Sequence, residues 1–572
     1  MITNFNRRRK KKSNLFVDPD EIFLDSHNLE NFDRQQFEGR IEKAISKKTI
    51  LFLGVFFLIT AFTFSARLGY LQIKKGEAYM QRSENNMLGK VIIFSDRGII
   101  YDRNGKEIAW NQKTETTEGQ ERGLDFPMRK YMTPGFSHLL GYLSYPTKDK
   151  SGKYWQTDFI GKEGLEKQYD EYLKGRNGAK IVETDARGGI HSENKVNDPV
   201  HGRDLTTTVD SRIQKQLHIF IRDFAGNNSF RGGAGVIMDA WNGEIISAVS
   251  FPEYDSAILS RGEDKEEINR YLNDDRKVFL DRTKSGLYTP GSIVKPFFAM
   301  AALSEGVIDP YKKILSTGSI SIPNPYFPDK PTIFKDWKAH GWVDMRQAIA
   351  VSSDIYFYAI GGGFEGQKGV GILNLEKYSK IFGIGEITGV DHQGEKGGVI
   401  PSPEWKAKNF KGDPWRVGDT YNTSIGQYGY QVTLLEMTRA VSAIANTGIL
   451  PAPHFVKDDL AKEAEARRIE KEFSPEIYQV AREGMREVVL SGTATVLRVP
   501  YVEVAAKTGT AQVGISKSRV NSWIMGYFPY DNPRYSFTIM MESGPAGGTA
   551  AASAVMRQLL DWMNQNTPEY FD

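Results

Sequence analysis

Residues 49–66 read TILFLGVFFLITAFTFSA, an uncharged and mostly apolar run of 18 residues, and nothing else in the chain constrains its fold so strongly. Backbone N–H and C=O groups find no partner in hydrocarbon, so a lipid-exposed segment must close its own hydrogen bonds as a helix, and 18 residues reach the threshold for crossing a bilayer that way. Leu68, Tyr70, Leu71 and Ile73 extend the run, and Arg67 can snorkel to the interface. The competing reading is a buried core helix, which needs a domain folded around it. Upstream stand Arg7, Arg8, Arg9, Lys10, Lys11 and Lys12, then Lys43, Lys47 and Lys48. By the positive-inside rule they hold the N-terminus in the cytoplasm and place everything after about Ile73 outside. A tail of nearly fifty residues precedes the run, and Phe64 stands where a signal peptidase wants a small side chain. The expectation is an uncleaved single-pass anchor in the plasma (inner) membrane.

The 572 residues are too many for one compact domain, and 40% hydrophobic residues with 12% aromatic can fill at least one large core. The 74 basic and 71 acidic side chains nearly cancel to a formal +3, so no global field points to nucleic acid as a partner. There is no cysteine, which excludes disulfides, thiolate metal sites and a thiol nucleophile and suits an oxidising compartment.

Composition and periodicity divide the chain into four parts. Residues 1–48 are polar, mixed in charge and expected to be a largely disordered cytoplasmic tail; residues 49–73 are the anchor. Residues 74–200 hold short alternating runs such as KVIIF (Lys90 to Phe94), a turn at Asp102 to Gly105 and a helical patch at Gly164 to Leu173. An elongated, strand-rich module is expected there. From residue 201 to 572 the pattern is that of one larger domain. A helix starts near Asp210, a good N-cap, followed by the hairpin GAGVIMDA, WNGE, IISAVSF. The end of the chain offers three strands, VEVAAKTG, SWIMGYFP and YSFTIMMES, and a closing helix AASAVMRQLLDWM. The fold class is α+β, an antiparallel sheet with helices packed on it and a helical middle.

Within that domain the stretch Leu287 to Phe297, LYTPGSIVKPF, places Ser292 three residues before Lys295. The pattern S-x-x-K recurs at Ser192 to Lys195, as expected of a two-residue pattern that arises by chance roughly once or twice in such a chain. Ser192 has polar flanks with Gly188, Gly189 and Pro199 and reads as a solvated loop. Ser292 follows the turn pair Pro290 and Gly291 and opens an apolar helix, with Pro296 in the first turn. On such a helix Lys295 can reach Ser292 Oγ. A serine becomes nucleophilic when a base takes its proton, and a lysine serves if burial or a second cation keeps it neutral. The bland alternative is that Ser292 caps the helix and Lys295 is surface.

Two other motifs bear on that choice. Lys507, Thr508, Gly509 and Thr510 read KTGT at the end of the strand-like VEVAA. A lysine, hydroxyls and a glycine that admits close backbone approach suit the clamping of an extended peptide and its terminal carboxylate, although a strand-end turn explains them as well. Ser352, Ser353 and Asp354 form a polar island inside the apolar helical segment AIAVSSDIYFYAI, where a local cap and a functional cluster both remain open.

The ordered set S-x-x-K, S-x-D and K-T-G resembles the serine transpeptidase and β-lactamase superfamily. Ser352 follows Ser292 by 60 residues (352 − 292) and Lys507 follows Ser352 by 155 (507 − 352), both within that superfamily's usual range. SDRGIIYDRNGKEIA from Ser95, GKEGLEKQYDEYLKGRNG from Gly161, GVIMDAWNGEIISAVSFPEYD and NTSIGQYGYQVTLLEMTRAVSAIANTG are similar to class B penicillin-binding proteins, the monofunctional cell-wall transpeptidases. The likeness runs from about Ser95 to Met563. Asp354, the SIGQYGYQVT run and VSSDIYFY lean toward the elongation branch over the division branch.

The resemblance implies that Ser292 attacks the penultimate D-Ala carbonyl of a peptidoglycan stem peptide, with Lys295 as base, and that a neighbouring stem's amine resolves the ester into a cross-link. Ser352 relays protons, Asp354 orders the cluster, and Lys507 helps keep Lys295 neutral. Thr508 and Thr510, with Gly509, bind the substrate's terminal carboxylate, and the N–H groups of Ser292 and Thr510 form an oxyanion hole. β-Lactams acylate the same serine. Residues 74–200 are the pedestal or dimerisation-type module and 201–572 the transpeptidase domain, with no cofactor. No glycan-polymerising domain fits between the anchor and residue 200, so a polytopic, RodA-type membrane polymerase is the implied partner. Some relatives carry a metal just before S-x-D; here Asp336, His340 and Asp344 have helix-compatible spacing, no cysteine joins them, and the reading is a turn and a helix start. The stretch 110–135 is short and polar where elongation enzymes often carry a longer head. The alternatives are a septal transpeptidase, a β-lactamase, for which no carboxylate-bearing hydrolytic loop stands out, and a β-lactam sensor, which normally brings several spans and an H-E-x-x-H protease.

Overall fold

The computed structural model describes residues 46–80, 88–113, 126–184, 190–324, 326–457, 465–514 and 517–571. Most of the expected tail, and residues 114–125 of the short polar stretch, lie outside the described residues. The chain divides into one unit of residues 1–89 with 184–189 and a second of residues 90–183 with 190–572.

The first unit carries helix α1, Lys47–Gly69, continued by a π-helical turn over Tyr70–Lys74. Ser46 caps it by accepting Thr49 N at 3.2 Å. The hydroxyls within the apolar run are satisfied internally: Thr60 Oγ1 donates to Phe56 O at 2.8 Å and Thr63 Oγ1 to Ile59 O at 2.7 Å. No residue of α1 is buried against protein, and an 18-residue window within Lys47–Lys74 has a mean hydropathy of 2.2. Among the described residues this is the one helix long and apolar enough to cross a membrane, and it fits a single-pass anchor.

The second unit begins with a four-stranded sheet built from β1 (Ile100–Tyr101), β2 (Glu107–Gln112), β3 (Met128–Tyr131) and β4 (Leu205–Thr206), in the order β4-β1-β2-β3. The expected turn at Asp102 to Gly105 joins β1 to β2, with Asp102 Oδ1 accepting Asn104 N and Lys106 N, each at 2.8 Å. Helix α2, Gly164–Gln168, drives Glu166 into the protein. There its carboxylate meets Arg97 Nε at 2.5 Å and Arg129 Nε at 2.7 Å, with all three side chains at most 1% exposed. Burial works against the charged carboxylate, but the two guanidiniums outweigh it and hold Glu166 below its ordinary value.

The other S-x-x-K match departs from expectation. Ser192 and Lys195 lie in a strand, Ile190–Asn197, and not in a loop. Both are exposed and Lys195 pairs with Asp198. Residues three apart on a strand point to opposite faces, so the two side chains diverge, and the strand excludes the match by geometry.

The larger part of this unit is built on a five-stranded antiparallel sheet. Helix α3, Ser211–Asn227, precedes β5 (Gly232–Asp239) and β6 (Ile245–Phe251); β7 (Ala505–Val513), β8 (Arg519–Phe528), β9 (Tyr535–Pro545) and α10 (Ala551–Asn566) close the chain. The strand order is β6-β5-β9-β8-β7, so β7 is an edge. Asp210 caps α3 as expected, accepting Arg212 N at 2.9 Å. The helix buries Ile213, Leu217 and Ile221 at a spacing of four. Helices α3 and α10 pack together on the sheet, while α8 (Leu434–Ala445) and α9 (Pro475–Leu490) pack on β7 to β9 and β5. The helical middle contains α4 (Lys295–Ser304), α5 (Met345–Ala350), α6 (Asp354–Gly362) and α7 (Val417–Ser424). Helix α4 is buried from Lys295 to Ala302, as an apolar-all-round sequence requires.

Replacing Glu166 by Ala should lower unfolding stability by about 3–5 kcal/mol, because the buried Arg97 and Arg129 both lose Glu166 and Arg97 is left with Asp170 alone. The depressed pKa places this contribution at neutral pH, decaying as pH falls through the ordinary glutamate value toward the folded one. Urea titrations of wild type and variant at pH 7 and pH 3 check both: the gap between them closes at the lower pH.

Candidate active site

Three chain segments meet here in backbone contact, and glycine makes each contact possible. Gly291 has φ +59° and its N–H donates to Gly426 O at 3.0 Å. A Cβ on Gly291 would lie 2.6 Å from Thr510 O, and one on Gly426 (φ +74°) would lie 2.1 Å from Gly291 O. Gly509 is closed the same way, with Pro290 O 2.8 Å from where its Cβ would be. The turn before Ser292 is further held by Trp523 Nε1, which donates to Thr289 O at 3.1 Å, and by paired bonds between Tyr288 and Val432 at 3.0 and 2.9 Å.

Ser292 sits on a 3₁₀ turn, Gly291–Val294, that runs directly into α4. The expectation was an α-helical start; in a 3₁₀ turn residues i and i+3 eclipse, which brings Lys295 beneath Ser292 more directly than an α-turn does. Lys295 is fully buried, so the surface-lysine alternative falls. Its Nζ donates to Ser352 O at 2.8 Å, Ser352 Oγ at 3.3 Å and Asp354 Oδ1 at 2.7 Å. Among the described residues no hydrogen bond reaches Ser292 Oγ; Ser292 is half-buried and lines the groove.

Of the polar island only Asp354 is helical, as the first residue of α6; Ser352 and Ser353 lie before it. Both serines lie in the break between α5 and α6, and Ser352 takes φ +58° there, a left-handed conformation that a non-glycine residue holds at a cost of about 1–3 kcal/mol. The island's two serines differ in what they meet. Ser353 Oγ caps α6 by accepting Tyr356 N at 3.3 Å, while Ser352 Oγ lies between the two lysines. Lys507 Nζ donates to Ser352 Oγ at 2.9 Å and to Thr508 O at 2.9 Å.

Lys507 is fully buried. Burial first, and the charge of Lys295 second, push it well below the ordinary lysine value, with Asp354 opposing. Burial likewise raises Asp354 above the usual carboxylate range, against the pull of Lys295. The KTGT motif also sits differently from expectation, inside β7 and not at its end. The chain that Gly509 admits is therefore the protein's own nucleophile turn, while Thr508 and Thr510 remain on the groove.

A groove of about 1020 Å³ opens over this cluster, lined among others by Ser292, Ser352, Asp354, Thr493, Thr508 and Thr510. Several of its supports carry no motif. Asp336 Oδ2 accepts Ser353 Oγ at 2.9 Å, Ser316 Oγ at 3.2 Å and Ile355 N at 3.1 Å, placing a carboxylate at the start of α6. Asp344 caps α5 with Gln347 in a capping box. Asp336 and His340 lie in a loop between strands, so the reading of a turn and a helix start holds. These residues do not fit a metal: the Asp336 carboxylate is taken up by hydrogen bonds, and Asp344 is spent on the cap. Tyr428, at φ +61°, stacks on Phe410 with centroids 6.2 Å apart and lines the groove. Nothing in the local sequence marks this left-handed backbone, because the residue that holds it is a tyrosine followed by Gly429 and not a glycine itself.

Comparison with known proteins agrees with this geometry. Residues 233–561 match the family described as the penicillin-binding protein transpeptidase domain, and residues 124–207 the penicillin-binding protein dimerisation domain. The peptidoglycan D,D-transpeptidase MrdA of Haemophilus influenzae is 29% identical, over 91% of this chain and 92% of that protein. The complex between penicillin-binding protein 2 and MreC from Helicobacter pylori superposes with a TM-score of 0.67 at 26% identity, over 84% of this chain and 99% of that one. A structure titled "Structural coordination of polymerization and crosslinking by a peptidoglycan synthase complex" gives 0.67 at 25% identity, over 89% and 97%.

The Gly291 to Gly426 contact is testable. Gly426→Ala should slow acylation of Ser292 by about a hundredfold, since a Cβ there displaces the nucleophile turn by an ångström or so. Gly226→Ala, where a Cβ meets nothing within 4 Å, should leave it unchanged. Rates of labelling by fluorescent penicillin check both.

Proposed function

The chain belongs to the penicillin-binding transpeptidases, and on that premise we propose how its own residues carry the reaction. It is a peptidoglycan D,D-transpeptidase of the elongation branch, the branch of penicillin-binding protein 2. The observation that carries the assignment of roles is the hydrogen-bonded chain from Asp354 through Lys295 and Ser352 Oγ to Lys507, buried beside Ser292 at the groove.

Ser292 Oγ attacks the carbonyl carbon of the penultimate D-Ala, and Lys295 takes the hydroxyl proton. That requires a neutral Lys295, whose three donors in the resting site are all engaged. Lys507 supplies the vacancy: burial disfavours its charged form, so the two amines that meet at Ser352 Oγ hold one proton fewer than two ammonium groups would, and Ser352 Oγ passes that vacancy to Lys295 when Ser292 reacts. Asp354 orders Lys295 throughout. When the C–N bond to the terminal D-Ala breaks, the proton on Lys295 returns through Ser352 to the leaving amine. An amine of a neighbouring stem then attacks the ester, its proton travels the same path to Ser292 Oγ, and the cross-link forms. Developing negative charge on the carbonyl oxygen is met by the N–H groups of Ser292 and Thr510, a reading supported by the contact of the Gly291 position with Thr510. Thr508 and Thr510 bind the terminal carboxylate, with the donor peptide laid along the edge of β7.

The same premise extends to the rest of the chain. Residues 74–200 serve as the pedestal or dimerisation-type module and 201–572 as the transpeptidase domain. The basic residues before α1 keep the N-terminus cytoplasmic and the catalytic domain outside. The polymerase partner is of the polytopic RodA type, which is supported by relatives solved with MreC and within a peptidoglycan synthase complex.

Two experiments test the roles. Fluorescent penicillin should label Ser292, with the adduct located by mass spectrometry; labelling that survives Ser292→Ala sinks the assignment. Lys507→Arg places a permanent cation where a neutral amine is needed, and acylation should fall by about a hundredfold or more. In the wild type the acylation rate should fall on the acid side as Lys507 takes up a proton, at a pH well below 10.5 in keeping with its depressed pKa; a pH-independent rate overturns its part.

A further inference from the structure

Thr493 belongs to none of the three motifs, yet its hydroxyl meets one of them, KTG, and its backbone the helix that leads to another. It lies in the turn after α9 and lines the groove with Ser292. Its Oγ1 is 2.5 Å from Thr508 Oγ1, and its N–H donates to Ala350 O at 3.2 Å. The backbone enforces this placement: a Cβ on Gly492 would lie 2.2 Å from Ala350 O, so the turn runs against the end of α5, two residues before Ser352.

We propose that Thr493 is a positioning residue, whose hydroxyl donates to Thr508 Oγ1 and so turns the Thr508 proton toward the C-terminal carboxylate of the acyl donor. The inference rests on the carboxylate role given to Thr508 above. Each hydroxyl carries one proton and two acceptor sites. At 2.5 Å the pair shares one of its two protons, and the other points elsewhere. A carboxylate is the stronger acceptor because the bond to it is charge-assisted. On its arrival Thr508 donates to the anion and Thr493 must be the donor to Thr508. Two bonds in series polarise one another in the same direction. Without the Thr493 hydroxyl, Thr508 Oγ1 has no donor behind it and its proton is free to rotate away from the substrate.

The test uses the full chain in detergent and two probes, benzylpenicillin with its free carboxylate and its neutral methyl ester. Thr493→Val should slow acylation by benzylpenicillin about tenfold, the loss of roughly one charge-assisted link, while Thr493→Ser stays within about threefold of wild type. With the methyl ester, wild type and Thr493→Val should acylate at equal rates, because no anion is present for the chain to serve. Thr508→Val is the reference and should show the same dependence on the carboxylate, more strongly. If Thr493→Val slows both probes equally, or neither, while Thr508→Val keeps its carboxylate dependence, the positioning role is overturned. If Thr508→Val itself slows both probes equally, or neither, the role of Thr508 falls and takes this inference with it. Should Thr493→Val unfold, Thr493→Ala is judged against the same outcomes.

Discussion

Two lysines are buried within reach of one serine hydroxyl, and a single carboxylate is hydrogen-bonded to one of them. Taking an ion out of water costs several kcal/mol even after relaxation, so two ammonium groups with one counter-ion cannot both persist there. Asp354 stabilises charge on Lys295, and the depressed Lys507 is the member that gives way. The low proton affinity that serine chemistry needs is therefore a consequence of where the chain buries these amines. Everything around them serves to hold three elements, the turn into α4, the break before α6 and strand β7, close enough for one hydroxyl to bridge.

That closeness has a steric origin. Gly291, Gly426 and Gly509 each face backbone or a fixed side chain where a Cβ would stand, so the three segments approach more closely than side chains permit. The hydroxyl itself is presented by Ser352 in a left-handed conformation, which the capping of α6 by Ser353 and the Asp336 carboxylate beneath it hold in place. Away from the groove, the Arg97, Glu166 and Arg129 cluster gives the first part of the unit a buried ionic core. It joins Arg97 of SDRGIIYDRNGKEIA and Arg129 to Glu166 of GKEGLEKQYDEYLKGRNG.

Some of this was legible residue by residue. The amphipathic period of α3 and its Asp210 cap were readable because both are local properties of a helix. The sheet strands were readable as alternating or buried runs, and the turn before Ser292 as a proline and glycine pair. The misreadings also have physical causes. Ser192 was placed in a loop because glycine and proline near a segment suggest one, whereas an exposed strand has no apolar signature to betray it. KTGT was placed at a strand end because a glycine usually weakens a strand; here Gly509 stays in β7 because the nucleophile turn fills the space its side chain would take. Ser352 was placed in a helix because its apolar flanks continue a helical period across a one-turn break. Thr493 carries no motif, and Asp336, legible only as part of a turn, gains its place beneath Ser353 from a chain reversal that its own neighbours do not specify.

By itself the sequence determined the apolar helix near the N-terminus, the α+β class and the transpeptidase family. Those depend on local hydrophobic length, on periodicity, and on three motifs whose order and spacing rarely coincide. Tertiary structure alone decided how protons are shared in the site. Lys507 lies 155 residues from Ser352 in the chain and 2.9 Å from its hydroxyl in space. The charge state of each lysine follows from its burial and its partners, and neither quantity exists until the segments have met.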